Sequence, residues 1–172
     1  MKAIRFYVEL VETISELAGR VAMWLSTLLV VLICFDVLAR YLFSISYVWV
    51  FELEWHIFAL LFLFGASFSL KYDRHVRVDI IYNQLNEKQK AWINLLGCLL
   101  FLFPFCVIVI EASVPYLMTS LQLNEASNDQ GGLPARYFIK SMIIVGFVFL
   151  MMQGTALVVR SLLVISNKKL YE

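Results

Sequence analysis

The chain has 172 residues, 62% of them hydrophobic and 16% charged, with a formal net charge of +1. Soluble domains usually carry about 45–50% apolar residues, so this composition points to lipid, and the near-zero charge leaves no electrostatic footprint for nucleic acid. At this length, four membrane spans and their connections leave no room for a second, water-soluble domain.

Residues 1–20 predict an amphipathic helix. Ile4, Val8, Val11, Ile14, Ala18 and Val21 recur at three- and four-residue spacing, while Arg5, Glu9, Glu12, Glu16 and Arg20 occupy another face. Such a helix can lie along the membrane surface before the chain turns into the bilayer, the alternative being a first span that simply projects into the cytosol. Four uncharged apolar runs follow, over 21–35, 55–70, 91–110 and 141–159. A bilayer core about 30 Å thick needs roughly 20 apolar helical residues, so each run, extended by a turn into its flanks, can span. The first run leads into Asp36 and Arg40, with no small-residue cleavage site, which reads as a span and not as a signal peptide.

The connection over 44–50 is short, so spans one and two are antiparallel neighbours; Tyr41, Tyr47, Trp49 and Trp55 suit an interfacial aromatic belt. Residues 71–90 mix charge with Val76, Val78, Ile80, Ile81 and Leu85, and are expected to lie partly in the interface. Asn86 followed by Gln89 reads as a helix start with a capping-box pattern. The third helix then runs from near Glu87 past Ile110, with Pro104 predicting a kink or a broken hydrogen bond and Pro115 an end or second bend. An irregular stretch over 121–133 holds Asn124, Glu125, Asn128, Asp129 and Gly131-Gly132, and Leu133-Pro134 suits the next helix start.

The basic residues set an orientation. Eleven of the fourteen Lys and Arg residues precede the first span, lie between spans two and three, or follow the fourth. Only Arg40, Arg136 and Lys140 fall on the other side, which places both termini in the cytoplasm. The expected fold is an all-α integral membrane protein, one domain over 1–172, with spans near 21–43, 50–70, 88–113 and 135–163.

Ionisable groups at membrane depth are costly and therefore worth naming. Asp36 and Arg40 are four apart, acid first, the favourable order for a helical ion pair. Glu52 and His56 share that spacing, Glu54 points to another side of the same helix, and Glu111 and Lys140 stand at the boundaries of runs three and four. An external polar layer drawn from Asp36, Arg40, Glu52, His56, Glu111 and Lys140 is expected to fix helix register or grip a partner. Arg74, His75, Arg77 and Asp79 belong to the cytoplasmic interface, where the arginines can meet anionic lipid head groups. Glu125, Asn128 and Asp129 are the external groups best placed to meet a soluble partner.

No catalytic, cofactor or metal site is expected. Cys34, Cys98 and Cys106 lie inside apolar runs without a paired spacing. A haem anchor needs two axial ligands at one depth, yet His56 and His75 are separated by about 28 Å of helix. Gly65-Ala66-Ser67 with Ser69, and Gly97, Gly146 and Gly154, offer close-approach points between helices.

With these residues in order, the chain resembles the small, Q-type (DctQ-like) membrane subunit of tripartite ATP-independent periplasmic (TRAP) transporters. The resemblance rests on Asp36-Val37, Arg40-Tyr41, Trp49 with Glu52, Leu63-Phe64-Gly65-Ala66, the 75–79 segment His-Val-Arg-Val-Asp, Gly132-Leu133-Pro134, Lys140 and Gly146-Phe147. The family often carries proline just before that glycine–phenylalanine pair; Ile144-Val145 stand there here. The resemblance implies a non-catalytic subunit in the bacterial inner membrane. Its partners are a large multi-span transport subunit, a periplasmic substrate-binding protein and membrane lipids; its role is to scaffold sodium-coupled uptake of an organic acid. Two other readings fit a small four-span chain: a self-sufficient transporter or channel, and the membrane anchor of a redox complex.

Overall fold

The computed structural model describes residues 2–72, 82 and 84–167. Its elements are α1 (Lys2–Phe43), α2 (Val48–Lys71), α3 (Glu87–Gly97), a π-helical turn (Cys98–Leu102), α4 (Phe103–Gln122) and α5 (Tyr137–Ile165). Four stretches are long and apolar enough to cross a membrane: α1, α2, the run from α3 through α4, and α5. The α1–α2 turn and the α4–α5 connection share one end of the bundle, the loop end; the outer ends of α1 and α5 lie at the terminal end.

The surface helix expected over 1–20 is not separate. α1 is unbroken for 42 residues, about 63 Å at roughly 1.5 Å per residue, twice the depth of a bilayer core. No strong breaker separates residue 18 from residue 24, and Gly19 leaves the room that the Phe68 ring occupies against the helix. The buried side of the N-terminal half is Val8, Val11, Ser15, Ala18, Gly19 and Ala22. Val8 and Val11 close on Ala156, Met152 and Val159 of α5, so this segment is seated on another helix. It crosses α5 steeply: Tyr7 reaches Thr155 and Ser15 reaches Gln153, about 12 Å of travel on α1 against about 3 Å on α5.

Helix ends follow from local chemistry. Asn86 accepts from Gln89 N–H at 2.9 Å while the Gln89 side chain accepts from Asn86 N–H at 3.0 Å, a complete capping box at the start of α3. Ser44, Asn124 and Asn167, each just past a helix, have φ of 53°, 45° and 54°, the left-handed conformation that stops a helix. Pro104 cannot donate to the carbonyl four residues back. The chain widens one turn instead, and Phe103 N–H bonds to Cys98 O. Pro115 is carried inside α4, which continues to Gln122, so this span ends nine residues beyond the 113 expected.

α5 is the hub, touching α1, α2 and both halves of the third span. Leu70, Cys106 and Leu150 form a second core, joined by Ala66, Leu102 and Phe147. Two glycines of α5 permit this. A Cβ on Gly146 would sit 2.8 Å from Leu63, and one on Gly154 would sit 2.5 Å from Leu102 and 2.9 Å from Phe103. Gly65 and Gly97 face open space; they are not the close-approach points that small size alone suggested.

Candidate functional site: polar clamps at the two ends of the bundle

At the loop end α2 starts at Val48 and carries Glu52 one turn in, where the residue is 2% exposed. The segment after α4 folds back over it. Glu52 accepts from Ser127 Oγ, from Leu133 N–H and from Arg136 Nη2, the last at 2.9 Å. Backbone bonds tighten the same segment: Ser127 N–H to Leu133 O at 3.0 Å, Arg136 N–H to Glu125 O at 2.9 Å, and Gly132 N–H to Asp129 O at 3.0 Å. Gly132 has no room for a side chain, since a Cβ would lie 2.3 Å from Ser127 Oγ and 2.8 Å from Glu52 Oε2. Gly131, with φ of 80°, supplies the left-handed turn beside it. One buried carboxylate thus organises a whole connection.

Lys140 belongs to the same group. It is 7% exposed, bonds Glu125 and lies 3.8 Å from the centre of the Tyr116 ring. The Lys140 ammonium, followed by Ser120, holds the Glu125 carboxyl below the usual carboxylate range. Glu125 is therefore engaged inward, and Asn128 and Asp129 are the exposed members of the loop trio.

Asp36 and Arg40 form a separate ion pair on α1, with Asp36 buried and Arg40 half exposed. Glu54 of α2 faces this pair electrostatically, and its buried Oε1 has no hydrogen-bond partner among the described residues. His56 donates through Nδ1 to the Glu52 carbonyl at 2.6 Å, not to its carboxylate, and stacks beside Trp55. Glu111 is exposed on α4 and joins none of the described ion pairs. The single layer expected from sequence is thus two groups, α1 with α2, and α2 with the loop and α5. Arg136, Ser127 and Tyr116 are members that sequence reasoning missed. Arg136 was visible as one of only three basic residues on its side, whereas nothing in the composition of the loop says that Ser127 turns inward.

The terminal end carries a second clamp. Glu16 accepts from Lys71 Nζ and Tyr72 Oη, both at 2.7 Å, with Arg20 at 4.0 Å. Arg160 pairs with Glu12, Ser15 donates to Gln153 Oε1 at 2.8 Å, and Tyr7 meets Thr155 at 2.6 Å. The acidic face of the N-terminal helix is therefore used to bind α2 and α5. Arg74, His75, Arg77 and Asp79 lie outside the described residues. Cys34 is exposed, Cys98 and Cys106 are buried, and none of the three forms a disulfide. Among the described residues no three of His, Cys, Asp and Glu converge as a metal site requires.

No curated protein matches the chain. A family model described as "Tripartite ATP-independent periplasmic transporters, DctQ component" matches residues 29–164, which takes in the loop-end clamp, all of α2 to α4 and nearly all of α5. The family is a transporter component and not an enzyme. The chain belongs to the DctQ component family of tripartite ATP-independent periplasmic transporters.

Proposed function

We propose that this chain is the non-catalytic small membrane subunit of a TRAP-type secondary transporter in the bacterial inner membrane. It braces a large transport subunit that takes up an organic acid with sodium, the acid being delivered by a periplasmic binding protein. Family membership supports the assignment, and the basic-residue bias supports a cytoplasmic terminal end and an external loop end. The observation that carries the scaffold role is the placement of polar contacts. Among the described residues the ion pairs that tie one element to another lie at the two ends of the bundle, Glu52–Arg136 and Lys140–Glu125 between helices and the loop at one, Glu16–Lys71 and Glu12–Arg160 between helices at the other. Between them α2, α4 and α5 meet through Leu63, Leu70, Cys106, Gly146 and Leu150.

A bundle cross-tied at both ends resists shear. Its outward faces are apolar: Trp24, Val31 and Leu38 on α1, and Phe105 and Ile108 on α4, are exposed, a surface suited to lipid and to a larger membrane partner. Glu111 and the half-exposed Arg40 are the polar points from which such a partner can take its register.

Reconstitution tests the proposal. Uptake into proteoliposomes is expected only when this chain, the large subunit and the binding protein are all present with an inward sodium gradient. Solute movement by this chain alone would overturn the scaffold reading in favour of a self-sufficient transporter.

A further inference from the structure

A cleft opens at the terminal end between α3 and α5. Each helix offers one face at the spacing of neighbouring turns: Lys90 and Asn94 with Ala91 on α3, and Arg160 and Ser161 with Leu157 on α5. Tyr82 closes one side, and the volume is about 270 Å³, just under the range of pockets that enclose whole small molecules, about 300–1,000 Å³. That size suits a head group whose remainder lies outside.

The lining sets two cations, Lys90 and Arg160, against one acid, Glu87, and is rich in donors. Lys90 is weakly committed: its pair with Glu87 is 3.4 Å long and Glu87 is 83% exposed, a geometry of little energetic weight. It also lies over the Tyr82 ring at 5.5 Å. Arg160 pairs through Nη2 with Glu12, and a guanidinium carries five N–H donors in all, so others are left for a second acceptor. Tyr82 Oη donates to Asn94 Oδ1 at 3.5 Å, a contact that engages the amide oxygen and not the two N–H donors of the amide. Glu87 also borders the cleft, but its carboxylate is turned out to solvent. Below the polar rim the stripe of Lys90 and Asn94 continues along the third span through Gly97, which has open space beside it, to the exposed Phe101.

Cations and an amide above, and a bare apolar helix below, define an amphiphile. We propose that this cleft holds the phosphodiester of an anionic membrane phospholipid, with Lys90, Arg160 and Asn94 as its donors and the acyl chains lying along the third span. Basic pockets between membrane helices at the cytoplasmic side recognise such head groups. The site is distinct from the loop-end clamp and from the arginines at 74 and 77. It rests on the membrane reading above and is independent of transport.

Lipid retention by the purified full chain tests it, read by native mass spectrometry after exchange into nanodiscs of phosphatidylglycerol or phosphatidylcholine. Preferential retention of phosphatidylglycerol is expected, unaffected by millimolar inorganic phosphate. Lys90→Gln should weaken it about fivefold, the fold-change that one basic residue near an anionic surface carries, and Asn94→Leu should weaken it further. Arg20→Gln, on another face of the terminal end, should leave it unchanged. Equal retention of the two lipids by the unmodified chain would overturn the proposal, even where a variant fails to fold. Retention untouched by Lys90→Gln, or displacement of the lipid by inorganic phosphate, would overturn it as well. Because retention is read without uptake, failure of the scaffold assignment would leave this result standing.

Discussion

Glu52→Ala would strand Arg136, Ser127 Oγ and the Leu133 N–H without their common acceptor. Deleting one partner of a buried pair costs about 3–5 kcal/mol. The loop over 123–136 is therefore expected to open, read as faster tryptic cleavage after Arg136, whereas Glu52→Gln retains an acceptor and loses less. Gly132→Ala should have a similar effect without touching a charge, because its methyl would collide with Ser127 and Glu52. The pH response follows from Glu125. Its carboxyl is held down by Lys140, so the pair stabilises the loop from the ordinary carboxylate range up through neutral pH. That stabilisation is lost only as pH falls through the lowered value. Protection of the loop from protease should stay level from neutral pH to about pH 5 and fall in stronger acid; loss already at pH 6 would contradict the assignment.

At the scale of the helix, α5 decides the packing, and its glycines are not equivalent to those elsewhere. Gly146→Val and Gly154→Val must push Leu63, Leu102 or Phe103 aside, and overpacking of this kind costs about 1–3 kcal/mol. Gly65→Ala and Gly97→Ala meet nothing within 4 Å; removing a helical glycine is worth about 0.5–1 kcal/mol, so these variants should melt at the same temperature or higher in detergent. The N-terminal half of α1 belongs to this scale too. Glu12→Arg and Arg160→Glu should each lower the melting temperature, and the double swap should recover part of the loss, since it restores an opposite pair across the same gap.

For the whole molecule, the terminal clamp changes what a truncation means. Removing residues 1–18 strips Val8, Val11 and Ser15 from α5 and Glu12 and Glu16 from their cations. The expected outcome is loss of uptake with a partial loss of stability, checked by pairing transport assays with thermal melts of the purified complex. Docking of a soluble partner at the loop end is tested by Asp129→Lys, because Asp129 is exposed and outside the ion pairs. Uptake should fall if the external loop meets the binding protein. Glu125→Lys is unsuitable for that purpose, since it would break the contact with Lys140.

The apolar runs and their lengths determined by themselves that the chain is helical and able to span four times, because those properties depend on composition within a short window. Local chemistry was equally legible: the capping box at Asn86 and the disturbance before Pro104 need only near neighbours. Which polar groups meet was decided by tertiary structure. Glu52 could pair with any cation on its side until the loop folded back to bring Arg136 and Ser127 to it, a contact between residues more than seventy apart. The same holds for α1. An amphipathic pattern shows that one face seeks cover, but only the arrangement of α2 and α5 provides Lys71, Gln153 and Arg160 as that cover. Periodicity is a property of one helix, whereas the identity of its neighbour is a property of the bundle.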